Sequence, residues 1–307
     1  MTVDRRAHSP APPAASRRRQ RAASGADRGW LLAPSVGLLG LFVIVPIAVM
    51  LLYSFFTDAG AGVVKPVLTG ENWAELFSDP YYRLGLWQTL RVAGGATVLC
   101  AMLGYPASYA LAMTRFRHKW ILVLLLFLPF WISFIIRTMS WVDVLGTQGA
   151  INTLLRGLHL TSRPISMLYD EAAVTVGMVH FLLPYMILNI WVSLEGVDRN
   201  LILAARTLGC TPWHAFLEVT LPLSLPGLGA GLLLCFVLAS GSYLTAAILG
   251  GPANFMFGNL IYDALNSDLS WPMAATLSII LLIVLGMVTA IYAHFMGLGQ
   301  LYKGFSR

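Results

Sequence analysis

Long apolar runs separated by short polar interruptions are the main pattern of the chain. A membrane-spanning helix needs about 20 mostly apolar residues. Six runs approach or exceed that length and predict six transmembrane helices: residues 30–56, 86–113, 120–136, 172–194, 225–249 and 273–295. The first run is too long for the core of a signal peptide, so we expect it to remain as a span, with cleavage near residues 59–62 as the alternative. The pattern therefore predicts an all-α integral membrane protein.

The composition agrees with this assignment. Hydrophobic residues make up 57% of the 307 residues and charged residues only 11%, whereas a soluble domain has about 25% charged residues. The basic residues flank the apolar runs and do not form a patch interleaved with aromatic residues, which argues against a nucleic-acid partner. Cys100, Cys210 and Cys235 lack the spacing of a metal site or a disulfide framework. We therefore expect no metal site.

The sequence lacks the common catalytic motifs. It contains no His-Glu-x-x-His, no Gly-x-Ser-x-Gly and no Gly-x4-Gly-Lys-Ser/Thr loop. We predict no catalytic residue, no cofactor bound by this chain and no ATP hydrolysis by it. A stand-alone secondary transporter is a rival class, but such proteins often carry ion-coupling carboxylates within their spans. None of the six runs contains a carboxylate.

The distribution of positive charge predicts the orientation of the chain in the membrane. If the N-terminus is cytoplasmic, 14 of the 20 Lys and Arg residues lie on the cytoplasmic side, as the positive-inside rule favours. Both termini are then cytoplasmic. We expect a disordered Arg-rich tail over residues 1–29, a first transmembrane helix over 30–56 and a helical transmembrane domain over 86–296. The outside connection at residues 138–170 is expected to hold a partly inserted or interfacial helix near Asn152.

One polar interruption, residues 195–222, predicts a helix–turn–helix between two apolar runs. Leu201, Ala204, Ala205 and Leu208 recur at helical spacing and share one face of a short helix. The centre of that face is small, so another backbone can approach it closely. The predicted orientation places this interruption in the cytoplasm.

The turn and the second helix of this interruption follow from three residue types. Gly209 suits the left-handed residue that ends a helix, because it has no Cβ. Thr211 suits a helix N-cap, and Pro212 suits the first helical position, where no amide donor is needed. We expect Pro222 to close the second helix. An amphipathic connector that lies on the membrane surface is the alternative interpretation.

The spacing in this interruption resembles the EAA loop of bacterial ABC importer permeases, Glu-Ala-Ala-x3-Gly-x9-Ile-x-Leu-Pro. The matching residues are Ala204-Ala205, Gly209 and Val219-x-Leu221-Pro222, and Leu203 stands where the family has Glu. A polar contact made by that Glu would be missing here. In that family the loop docks the ATPase subunit. The resemblance implies a docking surface made of Leu203, Ala204, Ala205, Arg206, Leu208, Gly209 and Pro222.

Further stretches resemble one subfamily, the spermidine/putrescine-type permeases. They include Gly104-Tyr-Pro106, Ile136-Arg-Thr138, Gly149-Ala-Ile-Asn152, Leu183-Pro-Tyr185 and Leu249-Gly-Gly-Pro252. The resemblance implies a type I ABC importer permease fold in the bacterial plasma (inner) membrane, with a polyamine as cargo. A phosphonate, an opine or an iron chelate is the alternative cargo. It also implies four kinds of partner: two ATPase subunits that use ATP and Mg, a second homologous permease, an extracytoplasmic solute-binding protein and membrane lipid.

Polar and aromatic residues within or beside the runs are candidates for the substrate pathway. A carboxylate beside aromatic faces suits an ammonium group, and polar groups at membrane depth often line a pathway. The candidates are Trp141, Asp143, His180, Tyr185, Ser242, Tyr243 and Thr245. The structural alternatives are an interfacial anchor for Trp141, a helix–helix contact for His180 and hydrogen bonds back to the helix backbone for the hydroxyl groups.

Overall fold

A computed structural model describes the backbone of residues 14–114 and 117–295, and side chains from residue 34 onward. The chain divides into two units, residues 1–52 and 53–307. Helix α1 runs over Ala14–Tyr53, so its helical backbone includes residues 14–29 of the tail that we expected to be disordered. The alanines, arginines and glutamine of this stretch are strong helix formers, which explains the difference. Residues 1–13 of the predicted tail, and Lys303 and Arg307 of the predicted cytoplasmic C-terminus, lie outside the described residues.

A short hairpin follows α1 and qualifies the all-α prediction. Strands β1 (Phe56–Asp58) and β2 (Val64–Leu68) pair antiparallel. Helix α2 (Glu71–Ser78) comes next, and Asn72 donates from its amide to the backbone oxygens of Ser54 and Phe56 at 3.0 and 2.9 Å. The hairpin is therefore tied to α2 by a buried amide.

The long helices agree with a multi-span membrane protein. Five helices of the described residues are long and apolar enough to cross a bilayer: Pro34–Tyr53, Pro80–Met113, Glu171–Glu195, Pro212–Ser240 and Trp271–Phe295. The first, second, third and fifth of these belong to α1, α3 (Pro80–Met113), α7 (Glu171–Glu195) and α13 (Trp271–Phe295). A sixth span results if one bent helix pair is counted as a single crossing.

The bent pair corrects the third predicted span. Helix α4 (Lys119–Phe127) runs into a 3-10 turn, Leu128–Trp131, and α5 (Phe134–Leu145) begins after it. The stretches Lys119–Trp131 and Phe134–Gly157 lie at 89° to each other. The apolar run of residues 120–136 is therefore not one straight helix. Pro129 explains the break, because it has no amide with which to continue the α4 hydrogen-bond ladder. Helix α6 (Ala150–Gly157) follows α5 and confirms the helix expected near Asn152.

The fifth predicted span is also shifted. Helices α8 (Arg199–Thr207) and α9 (Pro212–Ala215) precede a π-helical turn, Phe216–Thr220, which continues without a break into α10 (Leu221–Ser240). The helical stretch that is long and apolar enough to cross a bilayer is therefore Pro212–Ser240, not 225–249.

Two residues explain this shift. Pro222 does not close the second helix, because the wider π turn precedes it and α10 accepts it in the first turn, where no amide is needed. Gly241 caps α10, and α11 (Leu244–Leu249) is a separate helix.

Helices α3, α7 and α10 pack closely around small residues. A Cβ added at Gly231 of α10 would lie 2.8 Å from Met186 Sδ of α7, and one added at Gly104 of α3 would lie 2.9 Å from Met186 Cγ. Small residues drive this kind of packing in membranes, where the hydrophobic effect between helices is weak. A second cluster joins α12 (Phe257–Asn266) to α13 through Phe257, Leu260 and Leu277.

Candidate functional site

The connector, residues 198–215, begins with a helix capped at both ends. Asp198 Oδ1 accepts a hydrogen bond from the Asn200 amide at 2.9 Å and starts α8. At the other end, the Gly209 amide donates to Arg206 O at 3.0 Å and the Cys210 amide donates to Ala205 O at 3.1 Å. These two bonds, with Gly209 at φ +92°, form a Schellman motif. The predicted left-handed role of Gly209 is confirmed.

The second helix of the connector starts as the sequence predicts. Thr211 Oγ1 accepts from the His214 amide at 3.3 Å, which is the bond of an N-cap. Pro212 occupies the first helical position. The turn geometry of the connector is therefore fixed by local hydrogen bonds of adjacent residues.

The small apolar face of α8 is exposed in this chain. Leu208 is 86% exposed and Leu203 is 59% exposed. Ala204, Gly209 and Arg206 are also exposed, whereas Ala205 is half-buried. Exposed leucines around a small-residue centre suit the groove of a partner protein. Pro222, the last residue of the implied docking surface, lies apart from this face in the first turn of α10.

A cluster of charges ties the start of the connector to the end of α3. Arg199 Nη2 donates to Ala112 O at 2.9 Å, and Lys119 Nζ donates to the same oxygen at 3.1 Å. Lys119 also pairs with Glu195 at 3.2 Å. Positive charge is stabilising at the carbonyl end of a helix. The sequence analysis counted these basic residues only for orientation and missed their structural role.

Aromatic contacts tie the π turn that follows the connector to α3. The Phe216 ring meets the edges of Tyr105 and Tyr109 at centroid distances of 5.7 and 5.4 Å, and Trp213 stacks on it at 5.5 Å. The Tyr105 hydroxyl lies 2.7 Å from Ser224 Oγ of α10. A displacement of the connector would therefore act on both α3 and α10. The i, i+4 spacing of Tyr105 and Tyr109 is the signal that could have indicated a shared partner.

Trp141 and His180 form a direct pair between α5 and α7. Trp141 Nε1 donates to His180 Nδ1 at 3.1 Å, and the two rings meet edge-on at 5.6 Å. Indole nitrogen is a donor only, so this bond requires an unprotonated Nδ1 on His180. The geometry fits the helix–helix contact that the sequence analysis left open as the alternative.

Tyr185 belongs to an aromatic cluster, which we define as Phe127, Phe130, Phe134, Phe181 and Tyr185. The ring centroid of Tyr185 lies 5.1 Å from that of Phe130 and 5.7 Å from that of Phe181. Arg137 lies within the cluster, 4.8 Å from the Phe130 centroid, 5.6 Å from Phe134 and 5.5 Å from Phe181. Its Nη1 donates to Pro129 O at 3.1 Å, and the residue is 8% exposed. Sequence reasoning did not single out Arg137 as a functional residue.

A cavity of about 380 Å³ adjoins this cluster. Its wall combines two rings of the cluster with the break between α10 and α11, and it is lined by Phe134, Phe181, Leu238, Gly241, Ser242, Tyr243 and Leu244. Ser242 Oγ donates to Thr245 Oγ1 at 3.3 Å. Thr245 itself is 1% exposed and does not line the cavity. Two of the three predicted hydroxyl residues are therefore placed on a cavity wall.

Asp143 lies in a different setting. It lines a cavity of about 550 Å³ together with Gly146, Thr147, Gln148 and Tyr169. Trp141 faces His180 and Tyr185 sits in the aromatic cluster, so these three candidates for contact with a cargo ammonium group have different neighbours.

The comparisons with known proteins agree on one family. The family described as "Binding-protein-dependent transport system inner membrane component" matches residues 165–296, which include the connector. The spermidine/putrescine transport system permease protein PotB of Haemophilus influenzae is 35% identical over 251 residues, 82% of this chain and 87% of that protein. PotB of Escherichia coli K12 is 35% identical over 262 residues, 85% of this chain and 95% of that protein.

Solved structures share the fold. A chain of a bacterial alginate ABC transporter, crystallised with an alginate pentasaccharide-bound periplasmic protein, superimposes with a TM-score of 0.73 at 15% identity, over 89% of this chain and 96% of that chain. A chain of the methionine ABC transporter MetNI in an inward-facing conformation gives a TM-score of 0.53 at 21% identity, over 71% of this chain and 97% of that chain.

Proposed function

This chain belongs to the family of binding-protein-dependent inner-membrane transport components, and from that premise we propose that its cargo is a small polyamine of the spermidine or putrescine class. The chain is a permease subunit of an ABC importer and not an enzyme. The observation that carries the cargo is 35% identity to spermidine/putrescine permeases over 82% and 85% of the chain. A phosphonate, an opine or an iron chelate stays the alternative cargo.

The connector is the proposed docking element for the ATPase. Three features support this role: an exposed apolar face with a small centre, caps that hold both ends of α8, and an attachment to α3 beside the unbroken continuation into α10. A rigid helix seated in a partner's groove can pass a movement to packed helices that have two stable arrangements. ATP and Mg are then used by the partner subunit, and this chain binds no cofactor.

The proposed assembly contains two ATPase subunits, a second homologous permease and an extracytoplasmic solute-binding protein. Both termini and the connector lie in the cytoplasm in this proposal, since the positive-inside rule favours that orientation. Cys210 allows a direct check of the orientation, because it lies in the connector and is partly exposed, whereas Cys100 and Cys235 are buried. A membrane-impermeant thiol reagent added to intact cells should leave Cys210 unmodified, and modification from outside would contradict the orientation.

The cargo is tested by uptake. The chain, its ATPase, its partner permease and its binding protein are expressed in a bacterial strain that lacks polyamine uptake, and radiolabelled spermidine and putrescine are supplied. We expect ATP-dependent accumulation that requires the binding protein. Accumulation of a phosphonate, an opine or an iron chelate in place of either polyamine would contradict the cargo, and accumulation without the ATPase would favour a stand-alone secondary transporter.

The docking role is tested by Gly209→Val. The φ of +92° at this position is strained for any residue with a Cβ and most of all for a β-branched one. We expect loss of ATP-driven uptake, with normal amounts of folded permease in the membrane. Gly157→Val is the matched control, because a Cβ there meets nothing within 4 Å and its φ is not positive. Full uptake by Gly209→Val would show that this turn does not couple the ATPase to the permease.

A further inference from the structure

The aromatic cluster already holds a cation that belongs to the chain itself. The guanidinium of Arg137 lies 4.8 to 5.6 Å from three ring centroids, within the roughly 6 Å range of a cation–π interaction. The three rings come from the 3-10 turn (Phe130), from α5 (Phe134) and from α7 (Phe181). The site has the composition that would suit a cargo ammonium group, and Arg137 fills it.

We infer that Arg137 determines specificity in transport: its guanidinium occupies the ring faces on which a cargo ammonium would otherwise stop, and makes the adjoining cavity wall repel a stationary cation. This inference rests on the proposed function for the identity of the cargo, but not for the electrostatic effect itself. Arg137 does not line the cavity itself, and it acts on the substrate path from behind the wall formed by Phe134 and Phe181.

The charge of Arg137 is not neutralised by a carboxylate within the described residues. Its hydrogen bond goes to the Pro129 carbonyl at 3.1 Å, and the described ion pairs join Arg91 to Glu171 and Lys119 to Glu195. The residue is buried, so salt screens its charge only weakly. Its field therefore reaches the surroundings of the cluster.

The cavity of about 380 Å³ is the place where this field matters. Phe134 and Phe181 contact the guanidinium and also line the cavity. An ammonium stacked on the cavity side of either ring would lie on the order of 10 Å from the guanidinium, where a low dielectric leaves the repulsion strong. The rest of the wall is made largely of Leu238, Leu244 and Tyr243. The wall therefore accepts the methylene segments of a polyamine and disfavours a lodged ammonium group.

This arrangement suits a pathway more than a binding site. A polyamine carries several ammonium groups, and an unfilled cluster of five rings would retain them and slow their release. With Arg137 in place, affinity stays with the binding protein and the permease offers a wall that the cargo leaves readily. The expected consequence is a higher KM and a faster turnover than the same cavity would give without Arg137.

The test measures the potential in the cavity directly. Ser242→Cys is introduced at the cavity wall in the assembled importer, with Cys210→Ser in the background because Cys100 and Cys235 are fully buried. The rate of modification is measured for a cationic aminoethyl and a neutral hydroxyethyl methanethiosulfonate. The ratio of the two rates reports the local potential, whereas changes in cavity access or thiol reactivity affect both reagents alike.

Arg137→Gln should raise the cationic-to-neutral ratio of modification rates by about tenfold. This is the order of magnitude expected when one positive charge on the order of 10 Å away is lost. Arg137→Lys, which keeps the charge, should restore the ratio to near the wild-type value. Ser267→Cys, an exposed position at the end of α12, is the matched control and should show no response to Arg137. An unchanged ratio at Ser242→Cys in Arg137→Gln would overturn the inference, whatever happens to the absolute rates.

Uptake adds a second readout. In Arg137→Gln we expect the KM for spermidine to fall together with the maximal rate, and Arg137→Lys should restore both. A fall in the maximal rate at unchanged KM, not restored by Arg137→Lys, would indicate a merely structural role and would overturn the inference. If the wild type takes up no polyamine, the proposed cargo is wrong, and the reagent ratio still decides the role of Arg137.

Discussion

Two segments interrupt the long helices, and they are held in opposite ways. The α5–α6 segment, residues 134–170, is fixed by a buried side chain that bridges positions 146, 152 and 165 of the same segment. Asn152, fully buried, donates to Gly146 O and Ile165 O at 2.9 Å and accepts from the Ile165 amide at 2.8 Å. The connector, residues 198–215, is instead mostly exposed, and local caps with an attachment to α3 hold it.

This difference indicates which segment can be displaced and which segment forms a fixed part of the cavity wall. Helices as short as α8 and α9 are not stable on their own, so the connector keeps its shape through its caps and can be displaced as a unit. The α5–α6 segment carries Phe134 of the cavity wall and Arg137 behind it, and its buried bonds resist displacement. Changes in the first segment should therefore reduce stability, and changes in the connector should reduce coupling.

The largest effect is expected for Asn152→Ala. The substitution leaves the Ile165 amide and carbonyl without their partner in Asn152 and removes one of the two bonds to Gly146 O, which still accepts from the Gly149 amide at 2.8 Å. Each lost hydrogen bond contributes about 0.5–1.5 kcal/mol. We expect the importer to lose several degrees of thermal stability in detergent and to become sensitive to proteases near residues 158–165.

The control for this substitution is Thr153→Ala on the same helix, because Thr153 is exposed. It should leave both the melting temperature and the protease pattern unchanged. If Asn152→Ala and Thr153→Ala melt at the same temperature, the α5–α6 segment is not held by the buried amide, and the contrast with the connector fails.

A smaller effect is expected for Arg199→Met in the connector. The substitution removes the bond to Ala112 O, but Lys119 still donates to that oxygen, so we expect a loss of about 1 kcal/mol in the attachment. Uptake per ATP hydrolysed should fall while the melting temperature of the importer stays close to wild type. Arg199→Lys, which keeps a donor and the charge, should recover most of the coupling. A large fall in melting temperature would place Arg199 in the structural core and not in the connector's attachment.

The connector could be predicted from the sequence because its geometry depends on neighbouring residues. Gly209 is left-handed and Thr211 caps α9, as capping rules predict. Its attachments could not be predicted, because Arg199 and Phe216 meet residues about 90 to 110 positions away. Capping rules therefore predict the backbone geometry of the connector, but they do not predict which helices it packs against.

The spans and the cavity were harder to predict for a related physical reason. Hydropathy identifies the apolar residues that are excluded from water, but it gives no information on a bend within an apolar run. Pro129 breaks one run and Gly241 ends another helix early, and the breaks adjoin two candidate features, the aromatic cluster and the cavity. The pair Trp141–His180 and the setting of Arg137 depend on which helices become neighbours, and periodicity contains no information on that.

The smallest effect is expected for Thr211→Ala, and it gives the finest test of the connector as a locally held unit. The substitution removes the side-chain oxygen that accepts from the His214 amide, which costs about 1 kcal/mol in a helix N-cap. Because only α9 depends on this bond, coupling should fall modestly while stability is unchanged. Thr211→Ser keeps the oxygen and should behave as wild type. Equal coupling in the Ala and Ser variants would mean that the stacking of Trp213 on Phe216 holds α9. The connector would then be held by aromatic packing and not by its local caps.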